Sequence, residues 1–377
     1  METRRIGKIV LVLLGLGPVA LAAAASSAAP GQGDAGPRAP LYTAIDLTPS
    51  EFTSSRAFGI AGGEQVGSGA GPSTGFQPHA LLWHGSAAGV VDLTPRGFDR
   101  SEARGICAGQ QAGAGHSSAA GGRGHALVWR GSAASAMDVN PRGFDESEIL
   151  AAFRGQFAGD GRGPGTGGAV HALLWRVDST DAVDLHPKGF VWSKAYGISG
   201  GQQVGVGSRP ATGPYRDDHA LLWRGTAESV VDLHPRGFLL SLAYGISGGQ
   251  VVGYGVGKAA GDTRAGGSHA LLWGGTDGVV DLTPEGSGSA ALVGTNGGEQ
   301  VGYDGSHAVL WWSAGRAVDL HAFLPSGFQF SIAQAIDSSG NVVGYAHGGD
   351  PSRAHAFLWK RNVPEPEGSQ SRSTSRC

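Results

Sequence analysis

The pentapeptide His-Ala-Leu-Leu-Trp, with close variants, recurs seven times in this chain of 377 residues, and no other feature limits the fold as strongly. The copies begin at His79, His125, His171, His219, His269, His307 and His355, spaced by 46, 46, 48, 50, 38 and 48 residues. A period of this size marks one supersecondary unit per copy, so the two or three domains that length alone suggests give way to a single array. Each of the first six copies is followed by an apolar-Asp-apolar stretch containing Asp92, Asp138, Asp184, Asp232, Asp281 or Asp319. Before each copy lie a small-residue segment and a Gln-Val-Gly segment, clearest in Ala195-Tyr-Gly-Ile198 with Gln203-Val-Gly-Val206.

Four short strands per repeat, separated by glycine-rich turns, match a propeller blade in both period and strand count. No segment carries apolar residues at helical spacing over ten or more positions, which excludes helical repeats. Leu-Leu-Trp is apolar at consecutive positions, as in a strand covered on both faces. The ends complement one another. Ala44-Ile-Asp46-Leu47 is an Asp-Leu strand with no pentapeptide before it, and His355-Ala-Phe-Leu-Trp359 is a pentapeptide with no Asp-Leu strand after it. A ring closes this way, removing the edges an open array would expose. The expected fold is therefore all-β: a seven-bladed propeller of four-stranded blades, closed by the N-terminal strand (Tyr42–Leu47) pairing with the last repeat.

Strands are designated a (Ala-Tyr-Gly-Ile), b (Gln-Val-Gly), c (His-Ala-Leu-Leu-Trp) and d (Val-Asp-Leu), with the small residues of strand a suited to the crowded axis. The d-to-a and b-to-c connections then share one face. The b-to-c loops vary most, from Asp304-Gly-Ser306 to Ser208–Asp218 and Gly257–Ser268, which marks that face as the functional one. On it, Pro95-Arg-Gly-Phe98, Pro141-Arg-Gly-Phe144, Pro187-Lys-Gly-Phe190 and Pro235-Arg-Gly-Phe238 read as turns whose phenylalanines pack between blades. The residues just beyond change from Asp99-Arg100 and Asp145-Glu146 to Val191-Trp192, Leu239-Leu240 and Gln329-Phe330. Val191, Trp192, Leu239, Leu240 and Phe330 thus form a candidate apolar ligand patch. Burial of these residues under the long b-to-c loops is the alternative.

The seven histidines invite a metal reading. Equivalent positions in radiating blades form a wide ring, however, not the tight cluster a metal needs. Each histidine lies opposite the Asp region of its own hairpin, and for the last repeat that residue is Asp46. A buried imidazole oriented on a carboxylate or backbone group is expected instead, with no metal and no cofactor. Gly197-Ile-Ser-Gly-Gly201 and Gly245-Ile-Ser-Gly-Gly249 match the Gly-x-Ser-x-Gly pattern of esterases. That elbow requires a strand leading into a helix, whereas these serines fall in strand-to-strand turns. No catalytic motif is found, although propeller enzymes can assemble sites from distant loops.

Arg4, Arg5 and Lys8, a charge-free run from Ile9 to Ala25 and the small residues Ala23-Ala24-Ala25 read as an export signal. That run is short for a spanning helix. The net charge of −3 without a basic tract argues against nucleic acid as a partner. Cys107 and Cys377 are the only thiols, too few to staple seven repeats, and both are expected to be free or Cys377 to cross-link dimers.

Ala335-Ile-Asp-Ser-Ser-Gly-Asn-Val-Val-Gly-Tyr345 followed by His355-Ala-Phe-Leu-Trp359 resembles the bacterial extracellular repeat proteins named HAF after their His-Ala-Phe signature. The resemblance covers roughly residues 41–360 and implies secretion and repeat architecture more than an activity. It departs where Asp-Leu runs into Thr/His-Pro-Arg-Gly-Phe. Val363-Pro-Glu-Pro366 is similar to the opening of Pro-Glu-Pro sorting signals, but Glu367-Gly-Ser-Gln-Ser-Arg follows in place of an apolar helix. The expected layout is a signal peptide and the start of a linker over 1–29, a linker over 30–40, the propeller over 41–360 and a polar, disordered tail over 361–377. The expected function is a secreted or cell-surface, non-catalytic binding or scaffold module, monomeric, for a carbohydrate or protein. The alternative is an extracellular glycan-acting hydrolase or lyase, which a cluster of carboxylates near the axis would favour.

Overall fold

The computed structural model describes residues 41–362 apart from 119–120, 178, 211–215, 258–266, 275–277 and 314–315. The expected leader, linker and Pro-Glu-Pro tail lie outside the described residues. Seven four-stranded antiparallel sheets follow one another around a ring, each in the order a-b-c-d. In the fourth blade these strands are Trp192–Ser199, Gln202–Arg209, Asp217–Trp223 and Val231–Asp232. Among the described residues there is no α-helix, and no helix is long and apolar enough to cross a membrane.

The seventh blade is composite. Leu41–Asp46 pairs with His355–Asn362 from Leu41 opposite Asn362 to Asp46 opposite Phe357, and Leu47 N–H adds a bond to Ala356 O at 2.8 Å. The closing strand therefore runs three residues beyond Trp359, further than the pentapeptide indicates. Tyr42 fastens the seam: its hydroxyl donates to Gly340 O at 3.0 Å and accepts from Arg361, which also meets Glu299 at 2.6 Å.

Blades adhere through apolar faces. Leu221, Leu222 and Trp223 are all buried, as expected for a strand covered on both sides. Leu221 and Trp223 pack with Ala158, Leu174, Leu185 and Ala195, which come from the third blade and from the inner strand of the fourth. Each fully buried leucine contributes about 1.5–3 kcal/mol by leaving water, and the pattern repeats at every blade contact.

A polar relay ties the same strands together. The histidine Nδ1 of strand c lies 2.6–2.8 Å from an Asp Oδ2 of strand d in all seven blades: His79–Asp92, His125–Asp138, His171–Asp184, His219–Asp232, His269–Asp281, His307–Asp319 and His355–Asp46. The other oxygen of each Asp accepts the backbone N–H two residues on, as in Thr94, His186 and His234. That residue's side chain reaches a serine of the next inner strand, such as Ser101, Ser193 or Ser241. The serine in turn accepts an N–H from strand c of the preceding blade: Ala80, Ala172 or Ala220. The histidines are less uniformly covered than expected, from 2% side-chain exposure at His269 to 44% at His307, because the outer hairpin borders solvent.

Cys107 is disulfide-bonded and buried, contrary to the expectation of two free thiols. Cys377 lies outside the described residues.

Candidate functional site

The inner strands carry a second regularity. Four follow Ser-x-Ala-x-Gly, and the third, sixth and seventh read Ser-x-Ile-x-Ala, Ala-x-Leu-x-Gly and Ser-x-Ala-x-Ala; the first and third residues of the scheme are buried in every blade while the two x positions vary. In all seven the pairing with strand b slips by one residue at the second x, leaving Phe58, Arg104, Leu150, Tyr196, Tyr244, Val293 and Gln334 unpaired in a bulge. Bulges redirect a side chain out of the pleat. The backbones approach so closely there that a Cβ on Gly205 would overlap the Lys194 carbonyl oxygen, and the same holds for the equivalent glycine of every other blade. That is why strand b reads Gln-Val-Gly. The first x position carries Arg56, Glu102, Glu148, Lys194, Leu242, Ala291 and Ile332, and its partner on strand b adds Asp160, Tyr254, Tyr303 and Tyr345. Because the seven inner strands neighbour one another around the axis, these side chains line one central site.

Blades 1 to 4 supply its charged arc. Arg104 pairs with Glu102 at 2.6 Å, and its guanidinium lies 4.5 Å over the Phe58 ring. Lys194 Nζ sits 3.0 Å from both Glu148 Oε1 and Asp160 Oδ1. That Asp160 oxygen keeps no hydrogen bond of its own and meets the ammonium as an ion pair. Burial pushes the Asp160 carboxyl up to about 8, against the pull of Lys194 and with the help of the Glu148 charge. Glu148 goes the other way: burial is outweighed by Lys194 and Arg104, which hold it low. Burial would weaken the Lys194 ammonium, but Asp160 and Glu148 hold it well above the ordinary lysine range. At neutral pH the three therefore form one unit, with the proton on Asp160 and the negative charge on Glu148.

Blades 4 to 7 supply an aromatic arc. Tyr196 and Tyr244 stand 5.2 Å apart between centroids, and Tyr244 stacks on Tyr254 at 5.7 Å. Burial raises all five hydroxyls, with Tyr196 pushed up to about 12. They remain neutral and can donate or accept hydrogen bonds. Leu242, Ala291, Val293 and Ile332 complete this side.

The rim above is divided in the same way. Arg123–Asp145 at 3.3 Å and Arg162–Glu146 at 2.8 Å lie over blades 2 and 3. Val191, Leu239 and Phe330 are 48%, 55% and 44% exposed, whereas Trp192 and Leu240 are half-buried. Arg216 lies 4.9 Å over Trp192, so part of a b-to-c loop does cover it. Trp192, Lys194 and Tyr196 alternate along one strand, and so do Leu240, Leu242 and Tyr244, and Phe330, Ile332 and Gln334. Trp192, Leu240 and Phe330 thus stand at the outer ends of strands that line the axis, whereas Val191 and Leu239 precede those strands. The Pro-Arg-Gly-Phe segments are turns, with Phe98 N–H bonding Pro95 O at 3.1 Å and Gly97 at a φ of 93°. Their cations Arg96, Arg142, Lys188 and Arg236 are exposed.

The axial residues themselves were missed by reading the sequence. Their signal was present: two variable, often charged or aromatic positions inside an otherwise small and constant strand. The histidines stay apart, each in its own blade with Nδ1 committed to an aspartate.

No protein-family model matches the chain, and no curated protein is similar to it in sequence. Among solved structures, it is similar to the β-propeller domain of the Trilobed protease from Pyrococcus furiosus, with a TM-score of 0.57 and 11% identity over 84% of this chain and 100% of that one. That domain has an open velcro topology, whereas here the N-terminal strand closes the last blade. A puromycin hydrolase matches at a TM-score of 0.54 and 12% identity, and a puromycin-hydrolyzing peptidase of Mycobacterium tuberculosis at 0.52 and 14%. The chain covers 84% and 82% of itself in these matches but only 58% and 54% of those proteins. At such identities the likeness concerns the fold alone: the chain is a seven-bladed β-propeller.

Proposed function

We propose that this protein is a non-catalytic binding module, working outside the cell, that holds a carbohydrate at the axial mouth of its varied face. One observation carries this reading: charged and tyrosine arcs surround one axis, and the rim above repeats the same division. Sugars present hydroxyls for charged and polar partners and C–H faces for aromatic rings, so a two-sided site suits them. The polar half is preorganised, since Lys194 fixes Glu148 and Arg104 fixes Glu102 before any ligand arrives. The export signal and the HAF-like repeats support an extracellular setting.

The carboxylates near the axis raise the second reading, a glycan-acting enzyme, because Asp160 keeps its proton near neutral pH as a general acid must. Their arrangement favours binding. Glycosidase carboxyls stand roughly 5–9.5 Å apart across a gap that admits a sugar carbon or a water, whereas Asp160 and Glu148 share the Lys194 ammonium, which lies 3.0 Å from each. The test is a glycan array with the mature domain, followed by calorimetry on the best oligosaccharide. Binding that is lost in Tyr244→Ala, without reducing ends or unsaturated products after prolonged incubation, supports the proposal. Product formation would replace it with the enzyme reading, and capture of proteins only would exclude carbohydrate.

A further inference from the structure

Charge pairing around the axis is incomplete at one place. Arg104 has Glu102, and Lys194 has Glu148 and Asp160. Arg56, on the inner strand of the first blade, has no carboxylate partner among the described residues. Its Nη2 donates to Pro351 O at 2.9 Å, its guanidinium lies 5.3 Å over the Tyr345 ring, and its enclosed Nε has no acceptor. A guanidinium carries five N–H donors and a charge that is never lost, so a half-buried one without an anion is an unsatisfied recognition element. Pro351 belongs to a b-to-c loop of the varied face, which places this cation at the proposed mouth. Arg96, Arg142, Lys188 and Arg236, exposed on the same face, form no ion pair among the described residues and would draw an anion toward it.

We infer that the ligand is an acidic oligosaccharide and that Arg56, beside Tyr345, takes a carboxylate of one of its sugars. This rests on the carbohydrate reading above and adds the chemical class. The carboxylates of blades 2 and 3 do not oppose it, because Glu102 and Glu148 are already matched by Arg104 and Lys194. Tyr345 is buried beneath the guanidinium and holds it by its ring face, so Arg56 is positioned before an acidic sugar arrives.

The experiment is calorimetry with oligogalacturonide, oligoglucuronide and oligomannuronide, each beside the same oligomer with its carboxyls reduced to alcohols. The parent protein should prefer an acidic form by about 10- to 100-fold, the range for a hydrogen bond to a charged group. The preference should weaken with salt. Arg56→Gln should abolish the preference and retain the affinity for the reduced form, while Arg176→Gln, at the exposed end of strand c in the third blade, should leave it intact. Should Arg56→Gln fold poorly, the reduced ligands and Arg56→Lys carry the test. Equal binding of acidic and reduced forms, or a preference that survives Arg56→Gln, overturns the inference and spares the carbohydrate site. Binding of neither form removes both.

Discussion

Ser193 offers the sharpest test of the relay between blades. Its Oγ accepts the Ala172 N–H at 3.0 Å and lies 2.9 Å from His186 Nδ1. His186 Nε2 faces Phe190 O at 3.1 Å, so Nε2 carries the proton and Nδ1 accepts from the serine. Ser193 is fully buried, and Ser193→Ala would leave the Ala172 N–H and the imidazole nitrogen unpaired. One such orphaned group costs about 1–3 kcal/mol, and that is the expected loss. Ser101→Ala is the internal control. Its neighbour Thr94 lies 2.8 Å from Ser101 Oγ, and the fifth blade shows what a threonine does unaided. There Ala290 replaces the serine and Thr283 Oγ1 takes the Ala270 N–H directly at 2.9 Å. Thr94 should do the same, holding the loss in Ser101→Ala below about 1 kcal/mol. Urea unfolding of the two variants measures both, and equal losses would refute the relay.

Other outcomes follow from the same geometry. Deleting residues 41–48 removes the seam strand, Asp46 and Tyr42, and should lower the melting temperature of the whole ring in calorimetry; an unchanged melt contradicts closure. Lys194→Met, which strands a buried carboxylate, should cost about 3–5 kcal/mol in urea unfolding, whereas Asp160→Asn, which imitates the protonated form, should stay within about 1 kcal/mol at pH 7; the opposite order would place the proton elsewhere. Burial and the stacked His171, His219 and His307 lower the affinity of His186, His234 and His321 for protons. Lowered histidines stabilise the fold above the unfolded value near 6.5, and that contribution is lost as pH falls. Asp160 is raised, so its contribution is lost as pH rises through about 8; urea midpoints should peak between these limits, and a flat profile from pH 6.5 to 5 contradicts the histidine part.

Blade number, strand order and closure were legible because each rests on a periodic signal. Leu-Leu-Trp declares a strand covered on both faces, and the orphan strand at Asp46 declares its missing partner. The aspartate of six histidines was legible too, since both lie on one hairpin, and for His355 it is the one on the orphan strand, Asp46. The serine of the relay was not, because Ser193 acts across a blade boundary on Ala172 and looks in sequence like one more small residue. The axial site was hidden for a related reason. Arg56, Glu102, Glu148 and Lys194 come from four repeats, share no local motif and meet only once the ring is closed. Their mixed identities read as surface variation, and so do those of Phe58, Arg104, Leu150 and Tyr196, which the bulge two residues further along each inner strand sets beside them.

A crystal structure of the complex with the tightest-binding oligosaccharide tests the axial site most directly. The ligand should lie at the mouth of the varied face, with a ring against Tyr244 and an acidic group within about 3 Å of Arg56. An oligosaccharide seated on the outer strands or between blade edges, with the axis empty, would contradict the assignment.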